Sequence, residues 1–403
     1  MKAYLVKEQR SLLPFEKPAS EMLLGLSSVR QQLIDQLENS GLQVVMLDFF
    51  DIDFFKKNIN IEIEPFSMVL FDNLVLSSAF IEHFLALIPN INNNYQCCID
   101  VRHFALFNTA HVSSMRPLPL YYFGKTPGEL DVIQVSPPIV RKIKHGLPVR
   151  MAKLDDVSIY FLDIYAIDII YWFDLLTASS LFCRKQTTAL MKRADSLGFT
   201  RILNYLINFG WVRQLFTRRS NKIGNNCRIH PSAVIEGCII GDNVDIGPFV
   251  CLRASIILDN AVIREHCIIN FSYIGKGAYI MGANVFNSYV GAEVSIVTPM
   301  LYNCVMGDRS FVSGGSGFAD FSMMSSQIMA NIQGIDVPSG LSFLGSCVGE
   351  DSFIGANLIF IPGRTIPSHT SLMTNDLVKH VPTEGGAYVF SSGQFIKIPS
   401  YFL

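Results

Sequence analysis

Residues 223–246 read IGNNCRIHPSAVIEGCIIGDNVDI, with an aliphatic side chain at Ile223, Ile229, Ile235, Ile240 and Ile246. A step of five or six positions fits neither the period of an α-helix nor the two-residue alternation of a strand. It marks a hexapeptide repeat, in which three short strands and three corners close one triangular coil of a parallel β-helix. The series continues through Leu252, Leu258, Ile263, Ile269, Ile274, Ile280, Val285, Val290 and Ile296. It resumes as Val348, Ile354, Phe360, Ile366, Leu372 and Val378. A single coil cannot bury its aliphatic residues except against its neighbours, so the length of the run predicts a stack. Between the two runs, residues 313–340 carry Gly314, Gly315 and Gly317, then Phe318, Phe321, Met323 and Met324. This stretch reads as an inserted loop that either carries a binding function or packs on a neighbouring subunit.

The whole chain has 403 residues, half of them hydrophobic, which is rich for a soluble protein and implies large cores or an oligomer interface. A formal net charge of −2 gives no electrostatic footprint for nucleic acid or an acidic membrane surface. The nine cysteines are scattered without metal-ligand spacing and read as reduced packing residues of a cytoplasmic protein. No secretory signal is visible at Met1–Arg10, where charged residues follow a short apolar run. Residues 157–182 are apolar enough to suggest a membrane span, but Asp163, Asp168 and Asp174 interrupt them. Each would be costly at bilayer depth, so a buried strand followed by a buried helix is expected there.

The first 180 residues have another rhythm. Lys2–Val6 reads as a strand, and Leu26, Val29, Leu33 and Leu37 follow at helical spacing, stopped by Asn39-Ser40-Gly41. Residues 43–47 and 67–71 read as further strands, the latter ending at Asp72-Asn73, and residues 80–87 as a helix. Strands alternating with helices predict an α/β domain with a mainly parallel sheet and a crevice at the strands' carboxyl ends. Residues 6–10 and Asp72 should then share one mouth. Residues 185–219 read as a basic connecting helix, solvated rather than docked, with Arg184, Lys185, Lys192, Arg193, Arg201, Arg213, Arg218 and Arg219.

Four segments carry a family resemblance. Arg10-Ser11-Leu12-Leu13-Pro14 with Lys17-Pro18 is similar to the opening of the bifunctional sugar-1-phosphate nucleotidyltransferase/acetyltransferases. Val69-Leu70-Phe71-Asp72-Asn73 resembles their metal-bearing strand end, and Tyr171-Trp172-Phe173-Asp174-Leu175-Leu176 a helix beyond their sugar-binding strands. Val337-Pro338-Ser339-Gly340, Leu344-Gly345, Val348-Gly349 and Pro362-Gly363 resemble a late β-helix signature. The resemblance implies a Rossmann-like nucleotidyltransferase domain over 1–183, a helical linker over 184–222, a left-handed β-helix over 223–380 and a tail over 381–403. It also implies a homotrimer, a sugar phosphate or nucleotide sugar as ligand, Arg10 and Lys17 on phosphate, Mg²⁺ on Asp72, and acetyl-CoA at a second site.

The departures are as informative. A triphosphate needs a glycine-rich turn whose successive N–H groups close around it, and Lys7, Glu8 and Gln9 stand where that turn would be. Acetyl transfer needs a base titrating near neutrality. Tyr302 stands where the resembling family has histidine in an ungapped reading, or Met300 if two residues are inserted, leaving His266 as the nearest candidate base. Two readings follow: a binder of sugar phosphate or nucleotide sugar with nucleotidyl transfer lost and acyl transfer in doubt, or an active acyl- or nucleotidyltransferase of nucleotide-sugar or cell-envelope polysaccharide synthesis.

Overall fold

The computed structural model describes residues 1–48, 50, 63–100, 115–125, 129–135, 141–145, 157–161, 164–195, 221–322, 327–373, 387–391 and 394–398. Arg201, Arg213, Arg218, Arg219, Met323, Met324 and Val378 of the sequence reading, with Asp163, lie outside these.

The α/β domain contains β1 (Lys2–Val6), α1 (Val29–Asn39), β2 (Gln43–Leu47), β3 (Ser67–Phe71), β4 (Leu74–Leu76) and α2 (Ser78–Ala86). There follow β5 (Asn94–Asp100), β6 (Met115–Phe123), β7 (Leu130–Val135), β8 (Arg141–His145), β9 (Val157–Phe161), β10 (Ala166–Asp168) and α3 (Trp172–Asp195). The main sheet has the order β2-β1-β3-β6-β5-β7. The pairs β1/β2, β1/β3 and β5/β7 are parallel, and β6 runs antiparallel between β3 and β5. The α1 pattern works as read: Val29, Leu33 and Leu37 are buried on one face, and the Ser28 side chain caps the start by accepting from the Gln31 N–H. The expected buried strand and helix at 157–182 resolve into β9, β10 and α3. No described helix is long and apolar enough to cross a membrane.

The C-terminal region is the left-handed β-helix expected from the repeat. Its first face stacks eight strands from Lys222–Ile223 to Thr365–Ile366, and its second eight from Arg228–Ile229 to Ser371–Leu372. The third face runs from Val234–Glu236 to Met300–Tyr302, and the pair Gly317–Phe318 and Ile359–Phe360 follows. Each strand turns one apolar residue inward, as in the fully buried column Ile257, Ile274, Val290, Met306 and Val348. Corners take left-handed backbone, which asparagine tolerates well; Asn226, Asn243 and Asn260 form one such column with φ of 54°, 57° and 59°. Buried serines satisfy another corner: Ser255, Ser272 and Ser288 each accept from the backbone N–H one coil on.

The insertion departs from the expectation for 313–340. Gly317–Phe318 keeps its place in the coil, and the excursion begins after Ala319, whose N–H still donates to the Phe360 carbonyl. It then forms a hairpin, Met329–Ile332 against Ile335–Pro338. The two-residue turn is Gln333-Gly334 with φ of 50° and 85°, which suits glycine at its second position. The hairpin folds back onto its own chain: Ile328, Ala330, Ile332, Leu341 and Leu344 belong to the core of the α/β domain.

That core also takes in the outer surface of the first face, where Ile256, Tyr273, Tyr289, Val305 and Cys347 are all nearly or fully buried. The β-helix interior is a separate core. α3 lies at the seam: Trp172 is fully buried and its Nε1 donates to Thr365 Oγ1 at 3.0 Å. Gly25 must lack a side chain here, since a Cβ would sit 2.2 Å from the Phe182 ring and its φ is +74°. Each large apolar side chain buried in the seam contributes on the order of 2 kcal/mol, so the two regions hold together as one body.

Candidate functional site

The crevice expected at the carboxyl ends of β1 and β3 is present, partly open to solvent, with a volume of about 220 Å³. Its lining includes Glu8, Arg10, Leu13, Asn73 and Tyr171 of the α/β domain and Ile332 from the insertion hairpin. A larger cavity of about 490 Å³ lies between the Gly25 turn, α1, α3 and the first face, away from the strand ends.

The loop after β1 is built around its own carboxylate. Glu8 takes the Arg10 guanidinium at 3.1 Å (Nε) and 2.7 Å (Nη2), and also accepts the Arg10 N–H at 3.1 Å. Burial acts to raise the Glu8 carboxyl, but these donors outweigh it and hold the group below the usual carboxylate range. Arg10 stays largely exposed with its charge matched.

Asp72 does share the mouth with residues 6–10, as the strand reading implied, but its oxygens are spent. Oδ1 accepts the Glu8 N–H at 2.8 Å, and Oδ2 accepts Arg30 Nε at 2.7 Å. The carboxylate is fully buried. A Mg²⁺ ion needs carboxylate oxygen facing an open, partly hydrated position. Asp72 offers none in this arrangement and does not fit the metal that the resemblance implies. Among the described residues no cluster of three or more His, Cys, Asp or Glu side chains is placed to hold a metal ion.

Lys17 points away from the crevice onto the β-helix. Its Nζ pairs with Asp308 Oδ2 at 2.7 Å and Glu350 Oε1 at 3.1 Å, at corners of successive coils. Half-burial works against its charge, yet the two carboxylates outweigh that and raise its pKa. The same chain segment is held twice more, by Ser368 Oγ donating to the Pro14 carbonyl at 2.7 Å and by His369 Nε2 at 2.9 Å from Glu16.

Sequence reading missed a buried carboxylate pair behind the crevice. Asp168 accepts from Asn73 Nδ2 at 2.8 Å, and Asp174 Oδ2 accepts the N–H groups of Ile170 and Tyr171 at 3.1 and 2.9 Å. Arg116 lies 3.9 Å from Asp168 and 3.7 Å from Asp174. Burial pushes Asp168 up to about 6; Asp174 adds to that rise, while Arg116, Asn73 and Arg10 oppose it. The signal was in the sequence, as an aspartate inside the apolar run Ala166-Ile167-Asp168-Ile169-Ile170.

On the β-helix, His266 and Tyr302 are not brought together. His266 is an exposed corner residue with φ of 59°, stacked on Phe249 at 5.4 Å. Tyr302 ends a third-face strand two coils on and packs edge-to-face on Phe286. Strand spacing and rise put them on the order of 15 Å apart.

Comparison with known proteins bears on the β-helix. Residues 213–314 match the family model described as the GMPPB C-terminal domain, the β-helical part of sugar-1-phosphate nucleotidyltransferases. No curated protein matches the chain. Among solved structures, HddC from Yersinia pseudotuberculosis complexed with GMP-PN is similar at 12% identity and a TM-score of 0.25, over 45% of this chain and 100% of that one. Over residues 213–314 the chain is similar to the β-helical part of sugar-1-phosphate nucleotidyltransferases, and it is built as an α/β domain followed by a left-handed β-helix.

Proposed function

We propose that this protein binds a sugar phosphate or nucleotide sugar in the α/β crevice and does not transfer a nucleotidyl group. The observation that carries the reading is the engagement of every candidate side chain at the first site. Arg10 is paired with Glu8, Lys17 with Asp308 and Glu350, and Asp72 with Arg30 and the Glu8 N–H. Nucleotidyl transfer depends on positioned cations and backbone donors around the phosphates, and losing a single preorganised donor commonly costs on the order of a hundredfold in rate. The separation of His266 from Tyr302 likewise supports binding without acyl transfer.

The domain division 1–183, 184–222, 223–380 and 381–403 and a cytoplasmic location remain part of the proposal. So does a homotrimer, supported by the apolar side chains that the second-to-third corner and third face leave in water: Phe249 is 63% exposed, Met300 53% and Ile359 74%. Light scattering at micromolar concentration should give three times 45.0 kDa, and a monomer would remove this part of the reading.

Thermal-shift screening with nucleoside triphosphates, sugar phosphates, nucleotide sugars and acetyl-CoA tests the main proposal, because a ligand of the native state raises the melting temperature by mass action. Sugar phosphates or nucleotide sugars should stabilise the chain. A shift confined to acetyl-CoA, with turnover of an amino-sugar acceptor, would replace the proposal with an acyltransferase.

A further inference from the structure

Resting on that reading, we infer that the crevice recognises the sugar ring rather than its phosphate, and that Ile332 of the β-helix hairpin supplies the wall that sets its selectivity. Three observations converge. The first is charge. Glu8 is held ionised at the lining and already balances Arg10, while the carboxylates of Asp72, Asp168 and Asp174 behind it face Arg30 and Arg116. An incoming phosphate would have to displace Glu8 from Arg10 or sit beside it, and either arrangement loses much of what the guanidinium offers. A hydroxylated ring has no such conflict. Its O–H groups donate to the carboxylate and accept from the guanidinium, and the pair need not separate.

The second is size. The crevice volume of about 220 Å³ is below the 300–1,000 Å³ usual for drug-sized ligands and takes one hexose ring, with the crevice partly open to solvent. The remainder of a larger ligand would lie outside the crevice.

The third is the origin of the walls. Leu13, Tyr171 and Ile332 give the crevice apolar surfaces for the C–H faces of a ring, and Ile332 comes from a segment more than 300 residues along the chain from Leu13. Its position is fixed by the β-helix. Ile332 flanks the hairpin turn and is 7% exposed, while the strand is seated on a late coil through the Asn331 N–H, which donates to the Gly363 carbonyl at 2.8 Å. Gly363, with φ of +74°, has the Met329 carbonyl oxygen 2.3 Å from where a Cβ would be, so only glycine gives the hairpin this seat. The site is therefore composite, with one wall supplied by the second domain.

The test is calorimetric titration of the full chain with free hexoses, N-acetylhexosamines, their 1-phosphates and the corresponding nucleotide sugars. A free sugar and its 1-phosphate should bind with affinities within a few-fold of each other. Glu8→Gln should shift that ratio toward the phosphate by about tenfold, since Arg10 is then uncompensated. Ile332→Trp, which fills the crevice, should abolish binding, and Ile332→Ala should move selectivity toward bulkier sugars even if the tryptophan variant folds poorly. A 1-phosphate binding tenfold or more tighter than its free sugar in the native chain overturns the inference alone, as does binding indifferent to both Ile332 variants. Free sugars binding without any phosphorylated or nucleotide-linked form would keep the inference and remove the proposed function. No binding by any of these compounds removes both.

Discussion

Along the β-helix the inward column Ile257, Ile274, Val290, Met306 repeats one chemistry from coil to coil, whereas at the carboxyl ends of β1 and β3 no two neighbouring side chains do the same job. The repeat is held by apolar burial that each coil shares with the next, so its energetics are local and additive. The mouth is held by polar contacts between residues far apart in sequence, the Glu8 N–H to Asp72 and Asp72 to Arg30, and the seam by Lys17 with Asp308 and Glu350. In the first region polar residues are exposed or cap corners. In the second they are taken up internally, in the crevice loop and in the seam, and that is what removes them from phosphate and metal chemistry.

The contrast is sharpest where a core residue is compared with an exposed neighbour. Ile274→Ala, in the closed interior, should cost about 2–5 kcal/mol in denaturant unfolding, while Met300→Ala on the outer surface should stay within about 0.5 kcal/mol in the dissociated protomer. A cost at Met300 that grows with protein concentration is expected of the proposed homotrimer, and a small cost at every concentration would remove Met300 from its interface.

Asp72→Asn asks the same question of the mouth. Removing one partner of a buried pair costs about 3–5 kcal/mol at most, and here Arg30 keeps partial solvent access, so a loss of about 2–3 kcal/mol is expected. A double-mutant cycle with Arg30→Gln should show coupling above about 1 kcal/mol. A carboxylate reserved for a metal would behave otherwise, and its substitution would leave the metal-free chain as stable or more so.

Asp168 gives a pH signature that the β-helix interior lacks. Its folded pKa is raised to about 6 while the unfolded value is about 3.9, so the folded state holds more protons between those limits. Stability from this group is present below about pH 4 and is lost as pH rises toward about 6 and beyond. Asp174 is raised for the same reason, burial, and acts in the same sense. The loss should be about 2–3 kcal/mol, and Asp168→Asn should flatten the profile over that range. An unchanged profile in the variant would show that the group titrates normally.

Lys17→Met should have the smallest effect, about 1 kcal/mol or a melting-point drop of a few degrees, decreasing with added salt because the pair is only part-buried. No change would show that this ion pair adds nothing to what the other contacts of the seam supply.

How much of this could be read in advance follows from the same division. The five- to six-residue step of Ile223, Ile229 and Ile235 encodes the coil directly, and α1 is encoded by Val29, Leu33 and Leu37 with a Ser28 cap, because both patterns are local. The destination of Lys17 is not local: its partners lie 291 and 333 residues away, and nothing in Lys17-Pro18 points to them. His266 looked like a base by residue type, yet it occupies a left-handed corner, a conformation in which histidine is several-fold enriched for backbone reasons alone. The insertion was visible as a break in the repeat, but its hairpin was not, since Gln333-Gly334 is a weaker turn signal than Asn-Gly.

Pyrophosphate release in the presence of Mg²⁺, a nucleoside triphosphate and a panel of sugar 1-phosphates tests the central claim most directly. Release should stay at background for every pair, with the same sugars still binding by titration. Mg²⁺-dependent turnover abolished by Asp72→Asn, in a variant shown to be folded, would contradict it and return Asp72 to the metal.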